Sequence, residues 1–315
     1  MNVVVTGASG YIGGETALLL KDAGHHVLGI DFAPLPDHLQ GVLDYFVFRD
    51  FADRDSTAEM HRWSPDAIIH CAGTSLVGPS LTNPGIYYNN NVVKTLTMLG
   101  NVLAFMPECR VIFSSSAATY GNPIMTPCQE IDPTEPISPY GESKLMVEWA
   151  LRSYQRANGL DYVALRYFNA CGADSQARHG QAPQATHIIA RVLESVKNNT
   201  QFVCNGRDFE TPDGTCVRDY VHVEDIARAH LLALEATVPA GVYNLGSNQG
   251  HSNLEVIAQA QAATGHAIPV EFGPRREGDP DILTADSTKF RNATGWAPQF
   301  NLSDIVQHAW AWYNR

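Results

Sequence analysis

Short apolar runs alternate with longer amphipathic stretches over the first 170 residues of the chain. These runs have the composition of strands buried in a parallel sheet. They lie at 3–5, 27–31, 67–72, 111–115 and 162–167. Helical periodicity occurs near 89–105 and 139–157. This alternation predicts an α/β fold with a Rossmann-type doubly wound parallel sheet and helices on both faces.

The pattern changes after about residue 170. Residues 171–217 are rich in Gly, Asn, Gln and Asp, and strand–helix–strand character returns at about 217–248. Helical patterns in this second part lie near 187–198, 253–265 and 302–314. We therefore expect two domains. A nucleotide-binding domain would cover 1–170 together with the returning segment, and a smaller α/β substrate-binding domain would cover 171–315.

The first predicted strand runs into a turn that contains Gly7, Gly10 and Gly13, and a helix follows. In this context the first glycine permits a tight turn. The second lets the backbone approach a pyrophosphate, and the third lets helix and strand pack closely. The helix then directs unpaired N–H groups at the phosphates. The turn predicts a dinucleotide site, although a glycine turn without a ligand has the same pattern.

Asp31 ends the second predicted strand, 24 residues after Gly7. A carboxylate at about this spacing binds the 2′-hydroxyl of a ribose and would repel a 2′-phosphate. The next residues, 32–34, contain no Arg or Lys that could attract such a phosphate. The sequence therefore predicts NAD rather than NADP. The alternative is a solvated loop acid.

Several polar or small residues follow predicted strand ends. They are Gly7, Asp31, Gly73, Ser116 and Asn169. Ligands of open parallel sheets bind beyond the carboxyl ends of the strands, so we expect these residues to surround one crevice.

Tyr140 and Lys144 are four residues apart at the start of a predicted helix, and thus share one face. An ammonium group favours the tyrosinate, so we expect Lys144 to lower the pKa of Tyr140 and make it a general base near neutral pH. A serine from 114–116 could relay the proton. Taken alone, the pair could equally be an ordinary Tyr and Lys on a helix surface.

Composition narrows the range of partners and locations. The 315-residue chain has a formal net charge of −12, which argues against nucleic acid or an anionic membrane surface as a partner. The six cysteines are irregularly spaced and none forms a C-x-x-C pair, which favours reduced thiols and a cytoplasmic location. We expect no signal peptide and no membrane span, because the first strand begins at residue 2 and no apolar run reaches about 18 residues.

These features together resemble the extended short-chain dehydrogenase/reductases and, within them, the UDP-glucose 4-epimerases. The matching stretches are 5–13, 113–117 with 120–121, 138–148, 165–169, 213–223 and 275–279. The first and third of these belong to the wider superfamily. The Gly-Thr-x-Val-Arg-Asp-Tyr and Arg-Arg-x-Gly-Asp stretches, with Ala117 rather than Glu after Ser116, narrow the resemblance to the epimerases.

The resemblance implies roles for individual residues. It makes Tyr140 the base, Ser116 the relay and Lys144 a clamp on the nicotinamide ribose. It implies NAD contacts at Gly7, Gly10, Tyr11, Ile12, Gly13, Asp31, Asp50, Phe51, Cys71, Ala72, Gly73, Asn90, Ser114, Tyr140, Lys144 and Phe168. It implies substrate contacts at Ser116, Tyr140, Asn169, His187, Arg218, Arg276 and Asp279. No metal ligand is implied.

The implied reaction is the interconversion of UDP-galactose and UDP-glucose through a 4-keto sugar, with NAD bound and recycled, in a homodimer. Arg218 and Arg276 would hold the diphosphate, because Arg forms forked, charge-assisted bonds with phosphate. The residue that gates sugar size in the family aligns with Leu283, which leaves 4-epimerisation of UDP-GlcNAc, UDP-GalNAc or an acidic UDP-sugar open. A dehydratase would need an acid pair where this chain has Ser116-Ala117. A redox-sensing NAD-binding protein without catalysis is the remaining alternative.

Overall fold

A computed structural model describes residues 1–182, 186–235, 237–276 and 279–315. The strands are β1 (Asn2–Thr6), β2 (His26–Asp31), β3 (Tyr45–Phe48), β4 (Ala67–His70), β5 (Arg110–Ser116), β6 (Tyr162–Tyr167), β7 (Asn169–Cys171), β8 (Phe202–Asn205), β9 (Val217–His222), β10 (Gly241–Leu245), β11 (Gly250–Ser252), β12 (Val270–Gly273) and β13 (Ile282–Leu283). The helices are α1 (Tyr11–Asp22), α2 (Arg54–Trp63), α3 (Val77–Thr82), α4 (Pro84–Tyr87), α5 (Lys94–Phe105), α6 (Pro139–Asn158), α7 (Ile188–Lys197), α8 (Val223–Ala233), α9 (Asn253–Thr264), α10 (Thr288–Thr294) and α11 (Leu302–Tyr313).

The main sheet has seven parallel strands in the order β10-β6-β5-β4-β1-β2-β3. The strand order reverses direction at β1, between β4 and β2, as in a doubly wound sheet. The predicted Rossmann-type fold is therefore confirmed. Because all strands point the same way, their carboxyl ends meet at one edge of the sheet.

Helices cover both faces of this sheet, and the strands are apolar on both sides for that reason. Side chains alternate between the two faces along a strand. Val3 and Val5 thus pack in one apolar cluster with Leu165 and Ile226, whereas Val4 packs in another. The first cluster includes side chains of α1 and α8, and the second includes side chains of α2, α5 and α6.

β3 and α2 are not predicted from the sequence. β3 is an edge strand of four residues in which Tyr45 and Phe48 are exposed, so it has no continuous buried run. α2 is mostly polar and buries few of its side chains. The helix predicted near 89–105 also differs in detail. Its first part, Tyr88–Val93, is a π-helical turn, and α5 begins at Lys94.

Two smaller sheets lie outside the main one. β9 pairs with β7, β11 and β13, and β8 pairs with β12. Their apolar side chains pack with those of α7, α9 and α11 in a third cluster. The chain returns to the main sheet through β10, and α8 packs against α1, where Thr16 Oγ1 lies 2.8 Å from His230 Nδ1.

Across the described residues, every helix is too short or too polar to cross a membrane.

Candidate active site

The turn between β1 and α1 depends on two glycines. Gly7 has a φ of +75°, and a Cβ atom there would lie 2.7 Å from the backbone nitrogen of Ala72. A Cβ atom at Gly13 would lie 2.1 Å from the carbonyl oxygen of Gly7. Gly10 is the N-cap of α1 and offers no side-chain cap, so the first N–H groups of the helix are left for an anion. This cradle fits a pyrophosphate.

Asp31 is fixed at the end of β2 by backbone donors. Its Oδ2 accepts a hydrogen bond from the N–H of Ser9 at 3.0 Å, and its Oδ1 accepts one from the N–H of Ala33 at 2.9 Å. Burial raises the pKa of Asp31, and these backbone hydrogen bonds oppose the shift. The carboxylate therefore lies beside the glycine turn, as a ribose-binding acid requires.

Other residues predicted to contact NAD are Tyr11, Ile12, Asp50 and Phe51. The Tyr11 hydroxyl donates to the carbonyl oxygen of Gly172 at 2.8 Å, and Ile12 packs against the sheet. Asp50 binds Lys94 Nζ at 2.6 Å. Phe51 is buried, with its ring edge-on to His70.

Cys71, Ala72 and Gly73 follow β4 directly, and the segment continues into Thr74. Asn90 donates to Thr74 Oγ1 at 3.0 Å. The neighbouring Asn91, which is not among the predicted residues, is buried, accepts from the N–H of Thr74 at 2.8 Å and donates to Ser143 Oγ at 2.9 Å. The run of three asparagines at 89–91 was the available signal, but strand and helix patterns say nothing about which of them points inward.

Lys144 is a buried ammonium at the carboxyl end of β5. Its Nζ donates to the carbonyl oxygen of Ser114 at 2.8 Å, and only 5% of the residue is exposed. Burial lowers the pKa of Lys144 to about 8. Ser114 Oγ lies 3.2 Å from Cys71 Sγ, and burial raises the pKa of this thiol to about 11, so it stays protonated.

Ser116 lies beside Tyr140, and its Oγ caps the short turn after β5 by accepting from the N–H of Ala118 at 3.1 Å. Burial raises the pKa of Tyr140 above its usual value, and the nearby Ser116 side chain lowers it only in part. The expectation that Lys144 lowers this pKa is therefore wrong for the protein alone. Lys144 Nζ lies 5.9 Å from the centre of the Tyr140 ring, and its hydrogen bond goes to Ser114 instead.

The wall beside this pair is apolar. Phe168 and Ala117 are buried in a small cluster, and Leu283 packs against that cluster. The residue aligned with the sugar-size gate is thus next to the segment that carries Ser116.

Three of the predicted substrate contacts come together on β7, β9 and the loop before β13. Asn169 Nδ2 donates to the carbonyl oxygen of Asp219 at 3.0 Å. Arg218 Nη2 lies 3.6 Å from Asp279 Oδ1, and Arg218 pairs in register with Leu283. Glu277 and Gly278, in the same Arg-Arg-Glu-Gly-Asp stretch, lie outside the described residues.

Arg276 lies against β8. The amide oxygen of Asn205, oriented toward the guanidinium, accepts from Arg276 Nη2 and Nε at 2.9 and 2.8 Å. The charge of Arg276 lowers the pKa of Arg191 further than burial alone, so these two cations are neighbours. His187 is exposed at the N-cap of α7, one turn before Arg191. Neither Arg191 nor Asn205 stood out in the sequence, because they lie outside its recognisable motifs.

The glycine turn, Asp31 and the group formed by Ser116, Tyr140 and buried Lys144 all lie where the strands of the main sheet end. The profile of the NAD dependent epimerase/dehydratase family matches residues 3–246. The chain belongs to this family. The family's name agrees with the prediction of NAD as the cofactor.

The chain is also similar to individual members of the family. It is 43% identical to the UDP-glucose 4-epimerase of Halalkalibacterium halodurans, over 99% of this chain and 96% of the relative. The crystal structure of UDP-glucose 4-epimerase from Brucella ovis in complex with NAD matches with a TM-score of 0.93 and 39% identity, over 98% and 97% of the two chains. That of the Bifidobacterium longum enzyme in complex with NAD+ and UDP matches with a TM-score of 0.91 and 34% identity, over 100% and 98%.

Replacing Gly7 with Ala should abolish NAD binding and destabilise the fold by about 1–3 kcal/mol, because the new Cβ meets the backbone of Ala72 and φ is positive. Gly24→Ala is the matched control, since Gly24 has a φ of +81° with no atom within 4 Å of the added Cβ. Urea unfolding and NAD released by acid would measure both effects. Equal behaviour of the two variants would contradict a cofactor cradle at Gly7.

Proposed function

We propose that this protein catalyses the NAD-dependent 4-epimerisation of a UDP-hexose and interconverts UDP-galactose and UDP-glucose. The observation that carries the proposal is the arrangement at the carboxyl end of β5, where Ser116 lies beside Tyr140 and the Nζ of buried Lys144 lies 5.9 Å from the centre of the Tyr140 ring. The relatives named UDP-glucose 4-epimerase match this chain over nearly its whole length.

Tyr140 is the residue that we assign to the proton transfer. As tyrosinate it accepts the proton of the sugar 4-hydroxyl, directly or through Ser116. It returns the proton after the 4-keto sugar has rotated to present its other face. NAD, when bound, accepts the C4 hydride and gives it back. The pKa of Tyr140 is raised even with the Lys144 ammonium 5.9 Å from the ring centre, so forming the tyrosinate requires further positive charge near the ring.

The substrate must be held by its UDP part, because the sugar has to turn between its two faces. We assign the diphosphate to Arg218 and Arg276, the uridine ribose to Asp279, and a contact near the first phosphate to Asn169. Arg218 and Arg276 are held by Asp279 and by Asn205, respectively, so both guanidinium groups are oriented before substrate binds. The cofactor contacts predicted from the sequence, and the role of His187, belong to the same proposal.

The purified protein should convert UDP-galactose to UDP-glucose without added NAD, since the cofactor is recycled and stays bound. Proton NMR of the sugar C4 position would follow the conversion. Tyr140→Phe should lower kcat by on the order of 10²–10⁴-fold while UDP still binds. Tyr154→Phe, the same change on the same helix, should leave kcat unchanged. Strict dependence on added NAD with net release of NADH would contradict the proposal, as would an active Tyr140→Phe variant.

Leu283 is intermediate in size between a residue that would exclude a 2-acetamido group and one that would admit it. We expect Leu283→Tyr to lower the turnover of UDP-GlcNAc relative to UDP-galactose by about tenfold or more, and Leu283→Ala to raise it. The neighbouring Ile282, which is more exposed, provides the control Ile282→Tyr. Parallel NMR assays with the two sugars would give the ratio. An unchanged ratio in both Leu283 variants would place the gate elsewhere.

We also propose that the protein is a homodimer held by α5 and α6. Both helices present an uncharged exposed stripe. The stripe consists of Val93, Thr97, Gly100 and Ala104 along α5 and the residue before it, and of Met146, Trp149 and Ser153 along α6, where Arg152 and Arg156 are also exposed. Leu99 instead points into the core and Leu96 and Leu103 pack against it, whereas Phe105 at the end of α5 is exposed. Two copies of this helix pair could form a four-helix contact.

Trp149→Asp should convert a dimer into a monomer, because a charge would be buried in the contact. Phe48→Asp is the matched control, since Phe48 is equally apolar and exposed but lies on the far edge of the sheet. Sedimentation velocity measures both. A monomeric parent protein, or dissociation by the control alone, would contradict this interface.

Two broader predictions remain part of the proposal. The reduced, irregularly spaced cysteines support a cytoplasmic location. The division into a nucleotide-binding domain and a UDP-sugar-binding domain is supported by the position of the Arg residues outside the main sheet.

A further inference from the structure

Glu15 is a buried acid on the cofactor-binding helix α1. None of its surface is exposed, and neither carboxyl oxygen has a hydrogen-bond partner among the described residues. An isolated buried carboxylate is costly, so it either acquires a counter-charge or stays neutral. The groups around Glu15 determine whether it has a counter-charge or stays neutral.

Its neighbours are mainly other acids. The carboxylates of Asp174, in the segment after β7, and Glu224, at the start of α8, place one oxygen each within 4.8 Å of Glu15 and of one another. Asp22 on α1 and the neutral Tyr11 also face Glu15. The only cation that acts on Glu15 in this part of the described structure is Arg178.

Arg178 is already engaged by two other carboxylates. Its Nη2 lies 2.7 Å from Asp174 Oδ2 and its Nη1 lies 2.8 Å from Asp22 Oδ2. Burial alone would raise the pKa of Asp174, but the hydrogen bonds from Arg178 hold it below its usual value. Arg178 therefore compensates Asp174 and Asp22, and Glu15 is left beside Glu224 without a cation of its own.

The segment 172–179 holds the start of α1 at several points. The Tyr11 hydroxyl donates to the carbonyl oxygen of Gly172 at 2.8 Å, and His179 Nε2 donates to the carbonyl oxygen of Tyr11 at 2.9 Å. Glu15 lies between these contacts and the Arg178–Asp22 pair at the other end of the helix. Whatever separates this segment from α1 therefore disturbs the helix end that we assign to the NAD phosphates.

We propose that Glu15 is a positioning residue that acts as a neutral carboxylic acid, and that its protonation keeps segment 172–179 and α8 packed on the phosphate-binding end of α1. Ionising Glu15 would place it as an anion beside Asp174 and Glu224, loosen this contact and weaken the hold on NAD. The inference rests on the proposed binding of NAD at α1.

The electrostatics support a neutral acid. The pKa of Glu15 is raised to about 9: burial is the largest cause, the charges of Asp174 and Glu224 add to it, and the charge of Arg178 opposes it. Its usual value is 4.5. The folded protein therefore holds a proton between these values that the unfolded chain releases. Stability from this group is present at low pH and falls as pH rises through that window.

A bound divalent cation is the other way to balance these acids, and the contacts disfavour it. Asp174 Oδ1 accepts from the N–H groups of Gln176 and Arg178, and Oδ2 accepts from Arg178 Nη2 at 2.7 Å. A cation that used Asp174 as a ligand would therefore lie against a guanidinium group.

The test compares the parent protein with Glu15→Gln, which keeps the shape and removes the titration. Urea unfolding from about pH 6 to about pH 9 should show the folding equilibrium constant of the parent falling about tenfold per pH unit relative to the variant. NAD retained after gel filtration, measured by acid release, should drop above about pH 9 in the parent and be preserved in the variant. Glu59→Gln, the same change at an exposed pair with Arg62, should behave like the parent.

Identical pH dependence of Glu15→Gln and the parent would overturn the proposal. It would also be overturned if Ca²⁺ or Mg²⁺ stabilised the parent but not the variant, with EDTA reversing the effect, because a cation rather than a proton would then balance Glu15. Both readouts are independent of turnover. A failure of the epimerase proposal would leave the NAD and unfolding measurements unaffected, and absence of NAD from the parent would remove the functional half of the inference alone.

Discussion

The close approach of three parallel strands at the carboxyl end of β1 is the constraint on which the site depends. The N–H of Gly7 donates to the carbonyl oxygen of Ile30 at 2.8 Å, and the N–H of Cys71 donates to that of Thr6 at 3.1 Å. Strand pairing thus continues into the turn, and it brings Gly7 against Ala72 with no room for a Cβ atom. The same pairing sets Asp31, Cys71 and Ser114 at one edge of the sheet, where a dinucleotide can reach all of them.

Burial sets the chemistry at this edge. It lowers the pKa of Lys144, raises that of Tyr140 and keeps Glu15 neutral, each time against the charged form. Opposite charges change these pKa shifts only slightly. Lys144 donates to a carbonyl oxygen rather than to a carboxylate, and the neighbours of Glu15 are mainly other acids. A site of this kind is sensitive to any added charge, and the oxidised nicotinamide of NAD would supply one.

The second half of the chain contributes the two guanidinium groups that we assign to the diphosphate, and the segment 172–179 that contacts the start of α1. In a protein of net charge −12, the guanidinium groups of Arg218 and Arg276 are oriented by Asp279 and Asn205. The segment 172–179 ties the start of α1 to the same half. This segment, which belongs to neither motif, therefore joins the helix end that we assign to NAD to the half of the chain that carries Arg218 and Arg276.

The sequence alone determined the main sheet apart from its edge strand β3, the glycine turn and the preference for NAD, since these follow from local periodicity and from spacings within one β-α-β unit. It also pointed to Tyr140, Lys144 and Ser116, whose roles stay predictions. It missed β3, which is short and half-exposed, and it misjudged the pKa of Tyr140. Two features depend on tertiary structure alone: the contacts between segment 172–179 and α1, and the clustering of acids around Glu15. Gly172 contacts Tyr11 although they are 161 residues apart in the sequence, so no local pattern contains this contact. The desolvation of a side chain, which shifts its pKa, depends on every element packed around it and is equally absent from a local pattern.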